Sequence, residues 1–234
     1  MVRYLSFEEY AQRAKELGGE HWKPRLLERR WDYHRKAIGI LEGLGLKSPK
    51  DVLEMGTMGV TLVNGSDTLD YAEGWNFEGK RPTYLHDARV LPWPIPDTQY
   101  EVFVALRVFQ HLAPAQAECV REAMRIAKKV IIVVPHSYSH RTLVHSRGIS
   151  YAELLKINNG VHPNRYLSTD LGDLYYWDAA QPSTTEKRSV SARIRRAISG
   201  IKSVIAKLPF AGRVPRHGGG PASLSSTEGP RAPS

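Results

Sequence analysis

The chain has 234 residues, of which 41% are hydrophobic and 24% are charged, and these proportions exclude a wholly disordered protein. Its single cysteine excludes an internal disulfide and a multi-cysteine zinc site, and favours a reducing compartment. The net charge is +9, but residues 181–234 hold ten Lys or Arg and two Asp or Glu, a balance of +8. Residues 1–180 therefore carry a balance of only +1, and the basic character belongs to the C-terminal segment.

Two features of the hydrophobic pattern bear on localisation. The apolar run Val130–Val134 is far shorter than the roughly 20 residues that a membrane helix needs. Residues 1–9 lack the apolar stretch of a secretory signal. We therefore expect a cytoplasmic protein, whose basic C-terminal segment could bring it to the inner membrane surface.

The N-terminal part of the chain predicts two helices. Ser6, with Glu9 three positions later, is typical of a helix start, and Gly18 ends this helix, which covers residues 7–17. A second helix is predicted over residues 24–42, with Gly43 as its end. We expect these helices to form an N-terminal helical cap over residues 1–48.

Strands then alternate with helices over residues 49–180, which predicts an α/β core with a doubly wound parallel sheet. A helix is expected with Pro114 in its first turn and Ala127 near its end. The segments predicted as strands are 52–56, 68–71, 83–87, 100–106 and 129–135. Ligands of such sheets bind beyond the carboxyl ends of the strands, so the residues that follow each strand are the candidate functional residues.

The motifs after these strands come in a characteristic order. The first strand ends in Glu54-Met-Gly-Thr-Met-Gly59, and Asp70 and Asp87 recur near the ends of the next two. The segment 86–92 (HDARVLP) then precedes the fourth strand, which leads into Phe-Gln-His-Leu. This succession resembles the class I S-adenosylmethionine-dependent methyltransferases, especially the small-molecule branch near the ubiquinone-biosynthesis enzymes. The resemblance covers residues 50–136 and implies a Rossmann-like sheet with S-adenosylmethionine as cofactor.

The resemblance also implies roles for the first two strand ends. Glu54 and Gly56, in one turn with Thr57 and Gly59, would order the loop at the methionine end of the cofactor. The two oxygens of Asp70 would accept hydrogen bonds from the ribose hydroxyls, a geometry that a carboxylate satisfies well.

Four further residues are implied on the third and fourth strands. Asp87 would accept a hydrogen bond from the adenine amino group, and the backbone N–H of Ala88 would reach a ring nitrogen. Leu106 and Arg107 would line the methionine moiety.

The chain departs from the family pattern between the first two strands. Met58 stands where the second loop glycine is expected, and only 16 residues separate Glu54 from Asp70. That interval barely leaves room for the usual helix, so either the helix is degenerate or the ribose acid is not Asp70.

Three histidines follow the fifth strand and are candidate general bases, because an imidazole can remove the proton of a hydroxyl acceptor. They are His136, His140 and His145. The alternative is that they are surface or structural residues. His136 and His140 have a spacing that could chelate a metal, but no carboxylate lies nearby in sequence, and no metal site is predicted.

The region that should cover the acceptor, residues 137–180, is rich in aromatic, Asn, Asp and Arg side chains. That composition favours a sugar, a glycan or another small hydroxylated acceptor, and hence an O-methyltransferase.

The C-terminal segment predicts a basic amphipathic helix over residues 181–208 and a disordered tail over residues 209–234. The apolar face within residues 189–208 could lie on a membrane surface, on a protein partner, or on the body of the chain itself. Two other functions stay open. One is an RNA methyltransferase that uses the basic tail, and the other is a non-catalytic protein that binds S-adenosylmethionine.

Overall fold

The computed structural model describes residues 1–18, 23–71, 81–136 and 149–181. Short 3₁₀ helices cover Pro49–Asp51 and Phe109–His111. The α-helices are α1 (Phe7–Leu17), α2 (Pro24–Glu42), α3 (Gln116–Ile126) and α4 (Tyr151–Ile157). The strands are β1 (Val52–Met55), β2 (Asp67–Asp70), β3 (Tyr84–Leu85), β4 (Tyr100–Leu106), β5 (Ala127–Val134), β6 (Arg165–Thr169) and β7 (Gly172–Asp178).

These seven strands form one sheet in the order β3-β2-β1-β4-β5-β7-β6. Neighbours among β1 to β5 are parallel, whereas β7 is antiparallel to both β5 and β6. The carboxyl ends of β1 to β6 therefore share one edge of the sheet, which we call the carboxyl edge. The predicted doubly wound α/β architecture is confirmed.

Both faces of the sheet are covered by helices, as the apolar strands require. On one face, residues of α1 and α2 such as Tyr10, Ala37 and Leu41 form a core with Val104 and Ile131 of the sheet. On the other face, residues of α3 and α4 pack against the alternate side chains of the same strands. This second core includes Phe103, Cys119, Val120, Ile132, Leu154 and Tyr175.

The two N-terminal helices have the predicted bounds, and Ser6 and Glu9 form the predicted capping box. The later elements differ in detail. Helix α3 begins at Gln116, after Pro114, and passes into β5 without a loop, so Ala127 belongs to the strand. Neither α4 nor the hairpin of β6 and β7 was predicted.

The connection between β1 and β2 contains no helix in residues 56–66, and β2 still ends at Asp70. Extended N-terminal residues pair with this connection instead: the backbone N–H of Leu5 donates to the Leu62 carbonyl (2.9 Å), and the N–H of Asn64 donates to the Arg3 carbonyl (2.9 Å). Val63 of the connection is fully buried. The usual helix is therefore absent from this connection, and the role of Asp70 as the ribose acid stays a prediction.

The predicted basic helix and disordered tail lie outside the described residues. Within the part of the chain that is described, no helix combines the length and the apolar character needed to cross a membrane.

Candidate active site

Glu54, at the carboxyl end of β1, is buried and fully bonded. One carboxylate oxygen accepts from the backbone N–H of Leu62 (2.7 Å). The other accepts from the N–H of Val63 (2.9 Å) and from the hydroxyl of Ser66 (2.8 Å). Burial raises the pKa of Glu54 to about 7, although the three donors act in the opposite direction. The side chain therefore ties the β1–β2 connection to the strand before it.

The turn that follows Glu54 has a left-handed backbone at three positions. Gly56 has φ of 65°, and a Cβ there would lie 2.6 Å from Cγ2 of Val108. Gly59 has φ of 82°, and its N–H donates to the hydroxyl of Thr57 (3.3 Å). Met58 has φ of 49°, the conformation that glycine adopts without strain. The turn thus keeps the backbone shape of a glycine loop although Met58 stands where the family has a glycine.

Asp70, at the carboxyl end of β2, lies beside this turn. The backbone N–H of Gly56 donates to the carbonyl of Leu69 (3.1 Å), which ties the turn to β2. Burial raises the pKa of Asp70 to about 6, and hydrogen bonds from the backbone of Thr57 and Tyr71 partly oppose that shift. Its second carboxylate oxygen is buried and has no hydrogen-bond partner among the described residues. An acceptor in that state is costly unless a donor is supplied.

Asp87 follows β3 and is already paired. Nε of Arg89 contacts both carboxylate oxygens (3.0 and 3.2 Å), and Nη2 contacts one of them (2.6 Å). The hydrogen bond to Arg89 holds the pKa of Asp87 below its usual range. Ala88 is buried, and its carbonyl accepts from the indole N–H of Trp93 (2.9 Å).

Leu106 and Arg107 end β4 at the same edge. Leu106 packs partly buried against the core on the α2 side of the sheet. Arg107 has φ of 61°, its N–H donates to the carbonyl of Val133 (2.8 Å), and its guanidinium donates to the carbonyl of Leu171. Burial lowers the pKa of Arg107. The guanidinium is thus directed to the β6–β7 turn.

His136 follows β5, and contacts engage both of its ring nitrogens. Nδ1 lies 3.2 Å from a carboxylate oxygen of Asp173, and Nε2 lies 3.1 Å from the carbonyl oxygen of Thr169. The other oxygen of Asp173 accepts from the hydroxyl of Tyr166 (2.9 Å). His136 can accept a proton from an acceptor only by giving up one of these contacts, so its role as general base stays a prediction. His140 and His145 lie outside the described residues.

The structure brings together the predicted residues of β1 and β2: Glu54, Gly56, Thr57, Gly59 and Asp70. Arg107 and His136 both have partners at the β6–β7 turn. Nothing in the sequence connected either residue with that turn. Sequence reasoning missed the partners Arg89, Val108, Tyr166 and Asp173. Only Arg89 could have been found, because it stands two residues from the acid that it pairs with. In the described ranges, no three His, Cys, Asp or Glu side chains are grouped as metal ligands.

No protein-family model matches the chain, and no curated protein matches it by sequence. The chain is similar to solved structures. One is a chain from the complex between the Haloferax volcanii Trm112 methyltransferase activator and a protein described as a methyltransferase, at 14% identity and a TM-score of 0.51, over 77% of this chain and 98% of that one. Another is the magnesium protoporphyrin IX methyltransferase of Synechocystis with bound SAH, at 14% identity and a TM-score of 0.49, over 70% and 92%. A third is a SAM-dependent methyltransferase of Aquifex aeolicus, at 17% identity and a TM-score of 0.46, over 71% and 96%.

The Haloferax comparison extends over nearly the whole of that chain. The protein has the Rossmann-like α/β fold of class I methyltransferases.

Proposed function

We propose that this chain is an S-adenosylmethionine-dependent methyltransferase that acts on a hydroxyl of a sugar, a glycan or another small hydroxylated acceptor. The observation that carries the proposal is the buried, unpartnered oxygen of Asp70 beside the left-handed turn at Gly56. A ribose offers two neighbouring hydroxyl donors, which suit a carboxylate that still lacks a donor. The residues present therefore fit this cofactor.

The chain's own residues have separate tasks in this proposal. Glu54 holds the β1–β2 connection, so that the Gly56 turn keeps its shape. Asp70 binds the ribose, and the exposed apolar side chains of Tyr71 and Leu85, which stand near the ends of β2 and β3, offer a surface for adenine. Asp87 and Ala88 would then bind the adenine edge.

S-adenosylmethionine supplies an electrophilic methyl group, so the protein's main contribution is alignment of the acceptor. The acceptor oxygen forms a bond to the methyl carbon as the carbon–sulfur bond breaks, and the hydroxyl proton passes to a base. His136, His140 and His145 stay the candidates for this base, and His136 could serve only by releasing one of its two contacts. The acceptor class itself rests on the composition of residues 137–180.

Binding of S-adenosylhomocysteine (SAH), the demethylated product, tests the proposal by isothermal titration calorimetry. We expect saturable binding to the full chain and a loss of about 10- to 100-fold in affinity in Asp70→Asn, since hydrogen bonds to a charged group contribute roughly 1.5–3 kcal/mol. Asp67→Asn is the matched control, because Asp67 begins the same strand and bonds Lys50 and Tyr100 instead. A chain that binds neither SAH nor the methyl donor would refute the proposal.

The acceptor class is tested separately with a methyl-labelled donor and three acceptor sets: monosaccharides and oligosaccharides, small phenols, and RNA. Label transferred to sugar or phenol hydroxyls supports the proposal. Label transferred to RNA alone, and lost on deletion of residues 187–234, would instead identify an RNA methyltransferase.

A further inference from the structure

Basic side chains bind the backbone of residues 168–171, which comprise the end of β6 and its turn to β7. Four successive backbone carbonyl oxygens each accept a hydrogen bond from a different basic side chain. The pairs are Lys36 Nζ with Ser168 (2.9 Å), His136 Nε2 with Thr169 (3.1 Å), Arg29 Nη2 with Asp170 (3.4 Å), and Arg107 Nη1 with Leu171. We call these four side chains and their carbonyls the turn latch.

The turn latch joins three separate parts of the fold to one turn. Arg29 and Lys36 come from α2, Arg107 from the end of β4, and His136 from the end of β5. The contact with β5 is also close in the backbone, because a Cβ on Gly172 would lie 2.2 Å from the carbonyl oxygen of Val134. The turn is therefore held against the carboxyl ends of β4 and β5.

His136 reaches the turn through Nε2, which donates to the Thr169 carbonyl, because a carbonyl oxygen only accepts hydrogen bonds. Its Nδ1 lies 3.2 Å from a carboxylate oxygen of Asp173 at the start of β7. The ring therefore contacts both strands of the hairpin.

We propose that Arg107 and His136 are positioning residues, which hold the β6–β7 turn on the carboxyl ends of β4 and β5. One part of this inference rests on the proposed function: the held turn would form a wall on the acceptor side. The contacts themselves do not depend on that function.

Several other charged or titratable groups face His136 or the same turn. On β6 and β7, Tyr166 bonds Asp173, which bonds His136. On α2, Asp32 accepts from the backbone N–H of Asp170 (3.1 Å) and from Lys36 (2.6 Å). Among the described residues, Asp173 supplies the carboxylate that contacts His136, and Lys36 bonds Asp32 as well as the Ser168 carbonyl.

Hydrogen–deuterium exchange of the full chain tests the contribution of Arg107. Arg107→Met keeps an aliphatic side chain and removes the guanidinium donor. We expect the amides of residues 168–173 to exchange about tenfold faster in this variant. Arg121→Met is the matched control, because Arg121 forms an exposed ion pair with Glu118 on α3, away from the turn. Unchanged exchange at the turn in Arg107→Met would overturn the inference.

The contribution of His136 is tested by the same exchange measurement. In His136→Leu the ring donor to the Thr169 carbonyl is lost, and we expect the amides of residues 168–173 to exchange several-fold faster. His86→Leu is the matched control, because His86 contacts the carbonyl of Val90 instead. Unchanged exchange at the turn in His136→Leu would overturn the part of the inference that concerns His136. If His136→Leu does not fold, Arg107→Met alone decides.

SAH titrations on the same samples separate this inference from the proposed function. If wild-type protein binds no SAH but Arg107→Met shows the expected faster exchange, the proposed cofactor is refuted and the turn latch is supported. Arg107→Met that loses SAH affinity tenfold or more with unchanged exchange would place Arg107 against the cofactor and overturn the turn latch.

Discussion

The carboxyl ends of β1 and β2 each carry one buried carboxylate, and the two are bonded in opposite ways. Glu54 accepts three hydrogen bonds from residues of the connection that it holds. Asp70, on the neighbouring strand, keeps one buried oxygen without a partner among the described residues. Both pKa values are raised by burial, to about 7 for Glu54 and about 6 for Asp70.

A raised pKa therefore does not distinguish a structural acid from a binding acid at this edge, whereas the number of satisfied acceptor sites does. A carboxylate whose donors all come from its own chain is complete before any ligand arrives. A buried oxygen that lacks a donor costs roughly 1–3 kcal/mol, which a bound hydroxyl would offset. The three donors to Glu54 indicate a role in the fold, and the unpartnered oxygen of Asp70 supports its proposed role in binding a ligand.

The largest expected effect is on stability, at Glu54. Glu54→Ala leaves two buried backbone N–H groups and the Ser66 hydroxyl without their acceptor, and we expect the free energy of unfolding to fall by about 3–5 kcal/mol. Chemical denaturation measures this, with Glu101→Ala as a control, because Glu101 of β4 is only half-buried and pairs with Lys128 of β5. A loss below about 1 kcal/mol would mean that the connection holds its shape without Glu54.

The effect expected at Asp70 is smaller and has the opposite sign. Relative to its usual value of 3.8, the pKa near 6 means that the folded chain keeps a proton that the unfolded chain loses. The stability from this group is complete below about pH 4 and is lost as pH rises to about 6. Asp70→Asn removes the buried charge, so we expect it to raise the free energy of unfolding at pH 7 by about 1–3 kcal/mol.

Two measurements check that expectation. Denaturation at pH 4 and at pH 7 should show an advantage of Asp70→Asn at the higher pH only, while calorimetry shows the loss of SAH affinity described above. A variant that is less stable than wild type at pH 7 would show that Asp70 supports the fold, as Glu54 does.

Local sequence signals predicted most of the fold and little of the bonding at the site. The capping box at Ser6, the glycine at position 43 and the apolar run of β5 depend on nearby residues, and these elements were confirmed. The hairpin of β6 and β7 was missed because aromatic residues stand at buried and at exposed positions in it, such as the buried Tyr175 of β7 and the exposed Tyr166 of the edge strand β6. Helix α4 has only seven residues, too few for a clear helical period.

At the site, the positions were predictable and the partners were not. The resemblance indicated both Glu54 and Asp70 as cofactor-binding residues, and nothing in the sequence shows that three donors of the chain reach one of them and not the other. The same holds for Arg107 and His136, whose partners on the β6–β7 turn lie 64 and 33 residues away in the chain. Long-range partners of this kind depend on how the elements pack, which no local pattern encodes.

The smallest expected effect concerns Asp87, the acid that follows β3. Asp87 is half-buried, and Arg89 is its side-chain partner among the described residues, so it stands between the fully partnered Glu54 and the partly partnered Asp70. An ion pair near the surface contributes about 0–1 kcal/mol to stability, so its loss costs little.

If Asp87 binds the adenine amino group, Arg89→Met frees a carboxylate acceptor and should raise SAH affinity about two- to fivefold. Asp87→Asn should lower SAH affinity by a similar factor. Calorimetry with Arg121→Met as control measures both changes. If all three variants bind SAH with equal affinity, Asp87 does not contact the ligand and has a structural role, as Glu54 does.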